Sequence, residues 1–143
     1  MKKKLNCILL IDDDEPTNFP SEMLIQDGNC AMHTEVAQSG RAALNHLTNS
    51  ENFAGQNKRY PRPDLIFLDI NMPAMNGWEF INKYNNLDKE YKGEIIIVLL
   101  TNSLNEDDKL KANEMPAISG FENKPLNAEK LNNILKKYFP SNF

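Results

Sequence analysis

Short apolar runs alternate along this chain with longer segments in which apolar residues recur every three or four positions. Most of the short runs are nearly continuous in apolar or β-branched residues, which is typical of strands buried on both faces of a parallel sheet. The run with the weakest pattern alternates apolar and polar residues instead. The strands that this pattern predicts span Leu5–Ile11, Thr34–Gln38, Leu65–Leu68, Glu94–Leu100 and Ile118–Glu122.

A helical pattern follows each predicted strand. Residues 15–18 should form a turn that leads into the first helix, with Thr17 and Asn18 as capping residues, and the helix should end at 27–29, where a glycine allows the chain to turn. The helix that begins at Asn105 has few apolar residues and should dock only loosely. The apolar positions expected to face the core are Phe19, Met23 and Leu24 in the first helix, Ala43, Leu44 and Leu47 in the second, Trp78, Phe80, Ile81 and Tyr84 in the third, and Leu131, Ile134, Leu135, Tyr138 and Phe139 in the last.

This alternation of strand and helix predicts an α/β fold. The fold would be a doubly wound (βα)5 sandwich of three layers, with a five-stranded parallel sheet in the middle and right-handed crossovers. A length of 143 residues suits a single domain, spanning 1–143 with no output domain after it. The polar segment 49–63, which carries Pro61 and Pro63, is long for a connection and predicts an exposed loop insertion. Asp88–Gly93 predicts a shorter, charged loop.

Charge and composition exclude several classes of protein. The net charge of −4 disfavours general nucleic-acid binding, because phosphate backbones require a basic face. No stretch approaches the ~20 apolar residues of a membrane span. The lysines at 2–4 precede an apolar run, but that run leads directly into three aspartates without the small-residue cleavage site of a signal peptide. We therefore expect a cytoplasmic protein in which Cys7 and Cys30 are reduced thiols.

Polar side chains follow four of the predicted strands, at the point where each strand ends. Asp12 and Asp13 follow the first, Asp69 the third, Thr101 the fourth and Lys124 the fifth. The carboxyl ends of parallel strands meet at one edge of the sheet, which is where open α/β folds bind their ligands. Clustered carboxylates favour a hard divalent cation such as Mg²⁺, and a hydroxyl and an ammonium can hold phosphoryl oxygens. This set predicts phosphoryl transfer onto Asp69, giving an acyl phosphate.

The motifs LLIDDD, LIFLDINMPAMNGWEF, IIIVLLTNS and GFENKPLN occur in the order found in the receiver domains of two-component response regulators. The chain resembles this CheY-like family over essentially its whole length, which implies a flavodoxin-like fold. The resemblance implies that Asp69 is the phosphoacceptor and that Thr101 and Lys124 bind the phosphoryl group. It also implies that Mg²⁺ is bound by Asp12, Asp13, Asp69 and the backbone carbonyl of Asn71, with Asp14 as a second choice of ligand.

The same resemblance implies a switch and a set of partners. Thr101 and Phe121 match the switch positions, and Lys124–Pro125 matches a peptide bond that is cis in the family. Phe121 replaces a tyrosine common in the family, and Asn102 stands where a small residue is usual. A sensor histidine kinase or a histidine phosphotransfer protein would supply the phosphoryl group, and a downstream protein target would read the changed surface. No nucleic acid or membrane is implied.

The sequence is also compatible with other functions. The protein could be a relay intermediate that passes its phosphoryl group to a second histidine protein. A phosphohydrolase with an aspartate nucleophile would need a second acid two residues after Asp69, and Asn71 occupies that position. A phosphate-independent binding module is a third possibility. Small polar residues beside the site, Asn71 and Ser103, predict an acyl phosphate that lasts seconds to minutes.

Overall fold

The computed structural model describes residues 3–49, 60–92, 94–102 and 105–143. Within them, parallel strands form a five-stranded sheet in the order β2-β1-β3-β4-β5. This order places the first strand between the second and the third, as in a doubly wound sheet. The strands are β1 (Leu5–Ile11), β2 (Ala31–Ala37), β3 (Leu65–Leu68), β4 (Ile96–Thr101) and β5 (Gly120–Asn123).

Helices cover both faces of the sheet and complete a three-layer sandwich. One face carries an apolar cluster that includes residues of α2, α3 and α5, and the other face carries a cluster that includes residues of α1 and α6. The predicted α/β fold is therefore confirmed. None of the helices that the structure describes is long and apolar enough to cross a membrane. The helices are α1 (Glu15–Gly28), α2 (Gly40–Thr48), α3 (Gly77–Asn85), α4 (Lys89–Lys92), α5 (Glu106–Asn113) and α6 (Ala128–Tyr138).

Helix α1 differs most from its sequence pattern. Phe19 and Met23 were expected in the core, but 62% and 43% of their surfaces are exposed. The buried positions of α1 are Asn18, Ser21 and Ile25 instead. The reason is the neighbouring strand end, because the side-chain amide of Asn18 donates a hydrogen bond of 2.8 Å to the carbonyl of Asp12. The prediction that Thr17 and Asn18 cap this helix is also wrong, since its N-cap residue is Asp14.

The connections differ from prediction in smaller ways. Four residues expected in the charged loop form the short helix α4, while Gly93 lies outside the described residues. Most of the predicted loop insertion, residues 50–59, is also outside them, as is Ser103, which was predicted to lie beside the site. At the end of that insertion, Tyr60 stacks on His46 at 4.7 Å between ring centroids. The carbonyl of Pro61 accepts a hydrogen bond of 2.8 Å from Nε2 of His46. These two contacts hold the Tyr60–Pro61 segment against helix α2.

Candidate functional site

Strand register brings the two acidic strand ends together. Ile11 of β1 pairs with Leu68 of β3, so the residues that follow them, Asp12 and Asp69, lie side by side at the sheet edge. The backbone N–H of Asp69 donates a hydrogen bond of 2.9 Å to the carbonyl of Ile11, which fixes this alignment. The side chains of both aspartates are buried, with 6% of each residue exposed. The parallel sheet thus holds two carboxylates next to each other away from bulk water.

A third carboxylate completes an acidic cluster. Asp13 is exposed, and one carboxylate oxygen each from Asp12, Asp13 and Asp69 lie within 4.8 Å of one another. Hard oxygen ligands with one open side suit a divalent cation that keeps some of its waters. These three residues could therefore hold a metal ion. Asn71 is exposed and lies two residues beyond Asp69, in the turn that leads to α3. The backbone N–H of Asp14 donates a hydrogen bond of 3.0 Å to Oδ1 of Asp12.

Lys124 is the cation that the structure places among these acids. Its Nζ lies 2.6 Å from Oδ2 of Asp12 and 3.4 Å from Oδ1 of Asp69. Its backbone N–H donates to the carbonyl of Thr101 at 2.8 Å, and its peptide bond to Pro125 is cis. Burial alone would lower the pKa of the Lys124 ammonium, but the hydrogen bond to Asp12 and the charges of both aspartates outweigh burial and raise it. Lys124 therefore remains a cation at this site.

Asp69 has an electrostatic environment of its own. Burial and the negative charge of Asp12 raise the pKa of the Asp69 carboxyl, in that order of size. The ammonium of Lys124 and a hydrogen bond from the backbone of Asn71 act in the opposite direction. Desolvation and like charge together make the ionised form costly, and any added cation would favour it. The arrangement suits a carboxylate that becomes a better nucleophile when positive charge is bound beside it.

The turn after Asp69 is shaped by a glycine. A Cβ atom at Gly77 would lie 2.7 Å from the backbone oxygen of Asp69 and 2.9 Å from Cα of Ile70, so no larger residue fits without moving the strand end. The N–H of Gly77 donates to the carbonyl of Ile70 at 2.8 Å. Asn76 and Glu79 then form a reciprocal capping box, which starts α3 at this point. The turn therefore holds Asp69 and the first turn of α3 as one unit.

The two residues predicted to switch lie on neighbouring strands. Thr101 ends β4 and is 1% exposed, and its register partner on β5 is Asn123. Phe121, two residues earlier on β5, is partly buried and packs against the apolar cluster beneath α3 and α5. The hydroxyl of Thr101 and the ring of Phe121 thus belong to adjacent strands of the same sheet.

Sequence reasoning missed Asn18, which supports the acidic cluster from α1. The positions 18, 21 and 25 recur at helical spacing, but two of the three are polar. A search for apolar periodicity therefore selects the opposite side of the helix. Among the residues lining a small cavity between α1 and the strand ends are Asn18, Ser21, Asp12 and Asp69.

Comparison with known proteins agrees with this geometry. A family model described as the response regulator receiver domain matches residues 8–136. The chain is 31% identical over 135 residues to sporulation initiation phosphotransferase F of Bacillus subtilis, covering 93% of each protein. The solved structure of a two component response regulator from Cytophaga hutchinsonii is 36% identical, with a TM-score of 0.80, and the match covers 94% of this chain and 97% of that one.

A longer relative contains a similar segment. The chain is 32% identical over 120 residues to a probable cyclic di-GMP phosphodiesterase of Vibrio cholerae, which is 82% of this chain and 23% of that protein. It spans less than a quarter of the length of several curated relatives that it matches. The family model covers most of the chain, and the sheet order and site geometry agree with it. This chain belongs to the response regulator receiver domain family, whose members act in phosphorelay signalling.

Proposed function

We propose that this receiver is phosphorylated on Asp69 in the presence of Mg²⁺ and thereby changes a surface that a partner protein reads. The observation that carries the proposal is the position of one buried carboxylate, Asp69, between two further carboxylates and the ammonium of Lys124. This combination can neutralise an incoming phosphoryl group and hold it for attack. No other cluster of three metal-binding side chains is found among the described residues.

The donor would be the phosphohistidine of a sensor kinase or of a histidine phosphotransfer protein. A carboxylate oxygen of Asp69 forms a bond to phosphorus while the bond from phosphorus to the histidine nitrogen breaks, and the departing imidazole takes up a proton. Asp12 and Asp13, with Asp69 and the carbonyl of Asn71, would hold the Mg²⁺, which supplies charge neutralisation for the phosphoryl oxygens. Lys124 and the hydroxyl of Thr101 bind the oxygens that remain.

Exposed apolar side chains offer a place for the donor to dock. Phe19 and Met23 are one helical turn apart on α1, which begins directly after the acidic run. A nearby cavity of about 220 Å³ is lined by residues of α1 together with Asn102, Lys124 and Pro125. Large apolar side chains left in water beside a reactive group favour a protein partner. The donor's phosphohistidine would then face Asp69 from this side.

The switch would act through the adjacent strands. Movement of the buried Thr101 towards the acyl phosphate leaves space into which the ring of Phe121 turns, and the surface formed by α5, β5 and α6 changes as a result. Phe121 has no hydroxyl, so its ring position rather than a new hydrogen bond carries the change. The buried thiols Cys7 and Cys30 support a reducing cytoplasm as the compartment.

Mass spectrometry after incubation with Mg²⁺ and a small phosphodonor such as phosphoramidate tests the proposal. One phosphoryl group should be added to the protein and to the surface control Asp88→Asn, and none to Asp69→Asn. A fully unmodified wild-type protein would overturn the proposal. Reverse transfer to a histidine phosphotransfer protein would identify a relay intermediate.

A signalling switch, and not a turnover enzyme, is the role that the site supports. A phosphohydrolase of this type needs a second acid two residues after its nucleophile to protonate the leaving group, and this chain has Asn71 there. Steady release of phosphate from many equivalents of a monoester would favour the hydrolase instead. Partner binding that is identical in wild type and Asp69→Asn, with and without phosphodonor, would favour a phosphate-independent module.

A further inference from the structure

The indole ring of Trp78 lies against the ammonium group of Lys111, whose nitrogen is 4.8 Å from the ring centroid. Trp78 is the second residue of α3, and Lys111 lies in the last turn of α5. An indole face attracts a cation at this distance more strongly than any other side-chain ring does. A single charged group therefore joins two helices that follow different strands of the sheet.

Those two helices follow the strands that end at the two sides of the proposed phosphorylation site. Helix α3 is fixed to the end of β3, because Gly77 packs against the backbone of Asp69 and donates to the carbonyl of Ile70. Trp78 is the next residue and so has a fixed position relative to Asp69. Helix α5 begins after Asn105, four residues beyond Thr101. The contact thus links the helix that follows the proposed phosphoacceptor, Asp69, to the helix that follows the proposed switch residue, Thr101.

Helix α5 has few other attachments. Of its eight described residues, Ala112 alone is buried, and Leu110 leaves 60% of its surface in water. The side chains of its first turn, Glu106, Asp107 and Asp108, are acidic. A helix with so little buried apolar surface can shift at low cost in free energy. The contact with Trp78 therefore adds to the burial of Ala112 in holding α5 in the position that the structure shows.

We infer that the Lys111–Trp78 contact is a latch, which holds α5 against α3 in the unphosphorylated protein and opens when α5 shifts. The latch rests on the proposed function, since it opposes the change that phosphorylation drives. Removing the charge at 111 should favour the shifted state before any ligand binds. For an exposed cation over the partly buried ring of Trp78, the equilibrium between the two positions of α5 should change roughly two- to fivefold.

The test measures binding of beryllofluoride, a phosphoryl mimic, with Mg²⁺ to wild type and to Lys111→Met. Met keeps most of the aliphatic stem and removes the ammonium. Lys109→Met is the matched control, because it removes a cation from the same helix together with an ion pair to Glu106 at 3.7 Å. The chain has one tryptophan, so its fluorescence reports Trp78 alone. Beryllofluoride should change the emission of wild type and change that of Lys111→Met less.

The latch predicts an apparent dissociation constant for beryllofluoride that is two- to fivefold lower in Lys111→Met, unchanged in Lys109→Met and close to wild type in Lys111→Arg. Lys111→Gln should behave as Lys111→Met does. Unchanged or weaker binding in both neutral variants would overturn the latch and leave the proposed function standing. Wild type that fails to bind beryllofluoride would overturn the proposed function and the latch together.

Discussion

The ammonium nitrogen of Lys124 donates a hydrogen bond of 2.6 Å to Oδ2 of Asp12, although 112 positions separate the two residues in the chain. The same nitrogen is 3.4 Å from Oδ1 of Asp69. One lysine therefore serves as counterion for two buried carboxylates, while the exposed Asp13 adds a third negative charge nearby. The site carries an excess of negative charge, which an added cation or a proton on Asp69 would reduce, and this excess affects its stability as well as its chemistry.

Removing the lysine charge should destabilise the fold strongly at neutral pH. In Lys124→Met the carboxylates of Asp12 and Asp69 remain buried without their cation, which should lower the free energy of unfolding by on the order of 3 kcal/mol. Loss of Lys124 raises the pKa of Asp69 in the folded state further above its unfolded value. The decrease in the free energy of unfolding is therefore largest above the folded-state pKa of Asp69. It becomes smaller as the pH falls through that pKa, because Asp69 then takes up a proton. Urea unfolding of both proteins, measured from pH 7 down through the acidic range in which they remain folded, follows this loss of stability.

The control for that variant is Lys124→Arg, which keeps the positive charge and should lose less stability at pH 7. Added Mg²⁺ should restore part of the stability of Lys124→Met. A loss of stability that stays the same size as Asp69 becomes protonated would contradict the electrostatic explanation and point to packing alone.

Neutralising the exposed acid should have the opposite effect on stability. In Asp13→Asn one of three mutually repelling carboxylates becomes neutral, so the metal-free protein should gain a few tenths to about 1 kcal/mol in its free energy of unfolding. The same change removes a candidate ligand and should abolish most of the stabilisation that Mg²⁺ gives to wild type. Thermal unfolding with and without Mg²⁺ measures both effects. Glu94→Gln, at an exposed position before β4, should change neither.

How much the sequence could predict depended on the kind of interaction. Buried parallel strands such as Leu65–Leu68 are nearly continuous in apolar residues, so both their position and the acid that follows them could be predicted. The sheet edge that gathers Asp12, Asp69, Thr101 and Lys124 follows from this, because parallel strands must end together. Strand bounds were less accurate, since β2 begins three residues earlier than predicted and β5 two residues later.

Contacts between distant polar groups could not be predicted. Lys124 was expected near a phosphoryl group, but nothing local in the sequence indicates that it donates to Asp12 in this structure. Helix α1 shows the same limit, because its inward side carries Asn18 where a polar strand end must be satisfied. Because Asn18 faces the sheet, Phe19 and Met23 lie on the exposed side of the helix, and apolar spacing alone could not predict this.

Adding one methyl group to the turn after Asp69 should damage both the fold and the site. In Gly77→Ala the new Cβ meets backbone atoms of Asp69 and Ile70, which cannot move aside as a flexible side chain would. We expect a loss of about 1–3 kcal/mol in the free energy of unfolding, together with slower phosphorylation of the displaced Asp69. Gly28→Ala is the control, because nothing lies within 4 Å of its added Cβ. That variant should be as stable as wild type or up to about 1 kcal/mol more stable.

The free energy of unfolding should depend on pH through His46, a residue of α2 that contacts Tyr60 and Pro61. Burial lowers the pKa of His46 below its ordinary value of 6.5, more than the hydrogen bond to Pro61 and the charge of Glu35 raise it. The unfolded chain therefore takes up a proton near pH 6.5 that the folded protein still excludes. The free energy of unfolding should be highest above this pH, fall as the pH drops below it, and level off under the folded pKa, with a slope of at most about 1.4 kcal/mol per pH unit.

His46→Gln isolates this contribution, because its side-chain amide can still donate to the carbonyl of Pro61 but does not titrate in this range. Chemical denaturation between pH 5 and pH 8 should show a shallower pH dependence in His46→Gln than in wild type. The exposed His33 supplies the matched control, and His33→Gln should keep the wild-type dependence. If the two variants lose the same share of the pH dependence, burial of His46 is not its cause. A smaller dependence in His46→Gln alone would show that burial of this imidazole, which the hydrogen bond to Pro61 only partly offsets, causes the pH dependence.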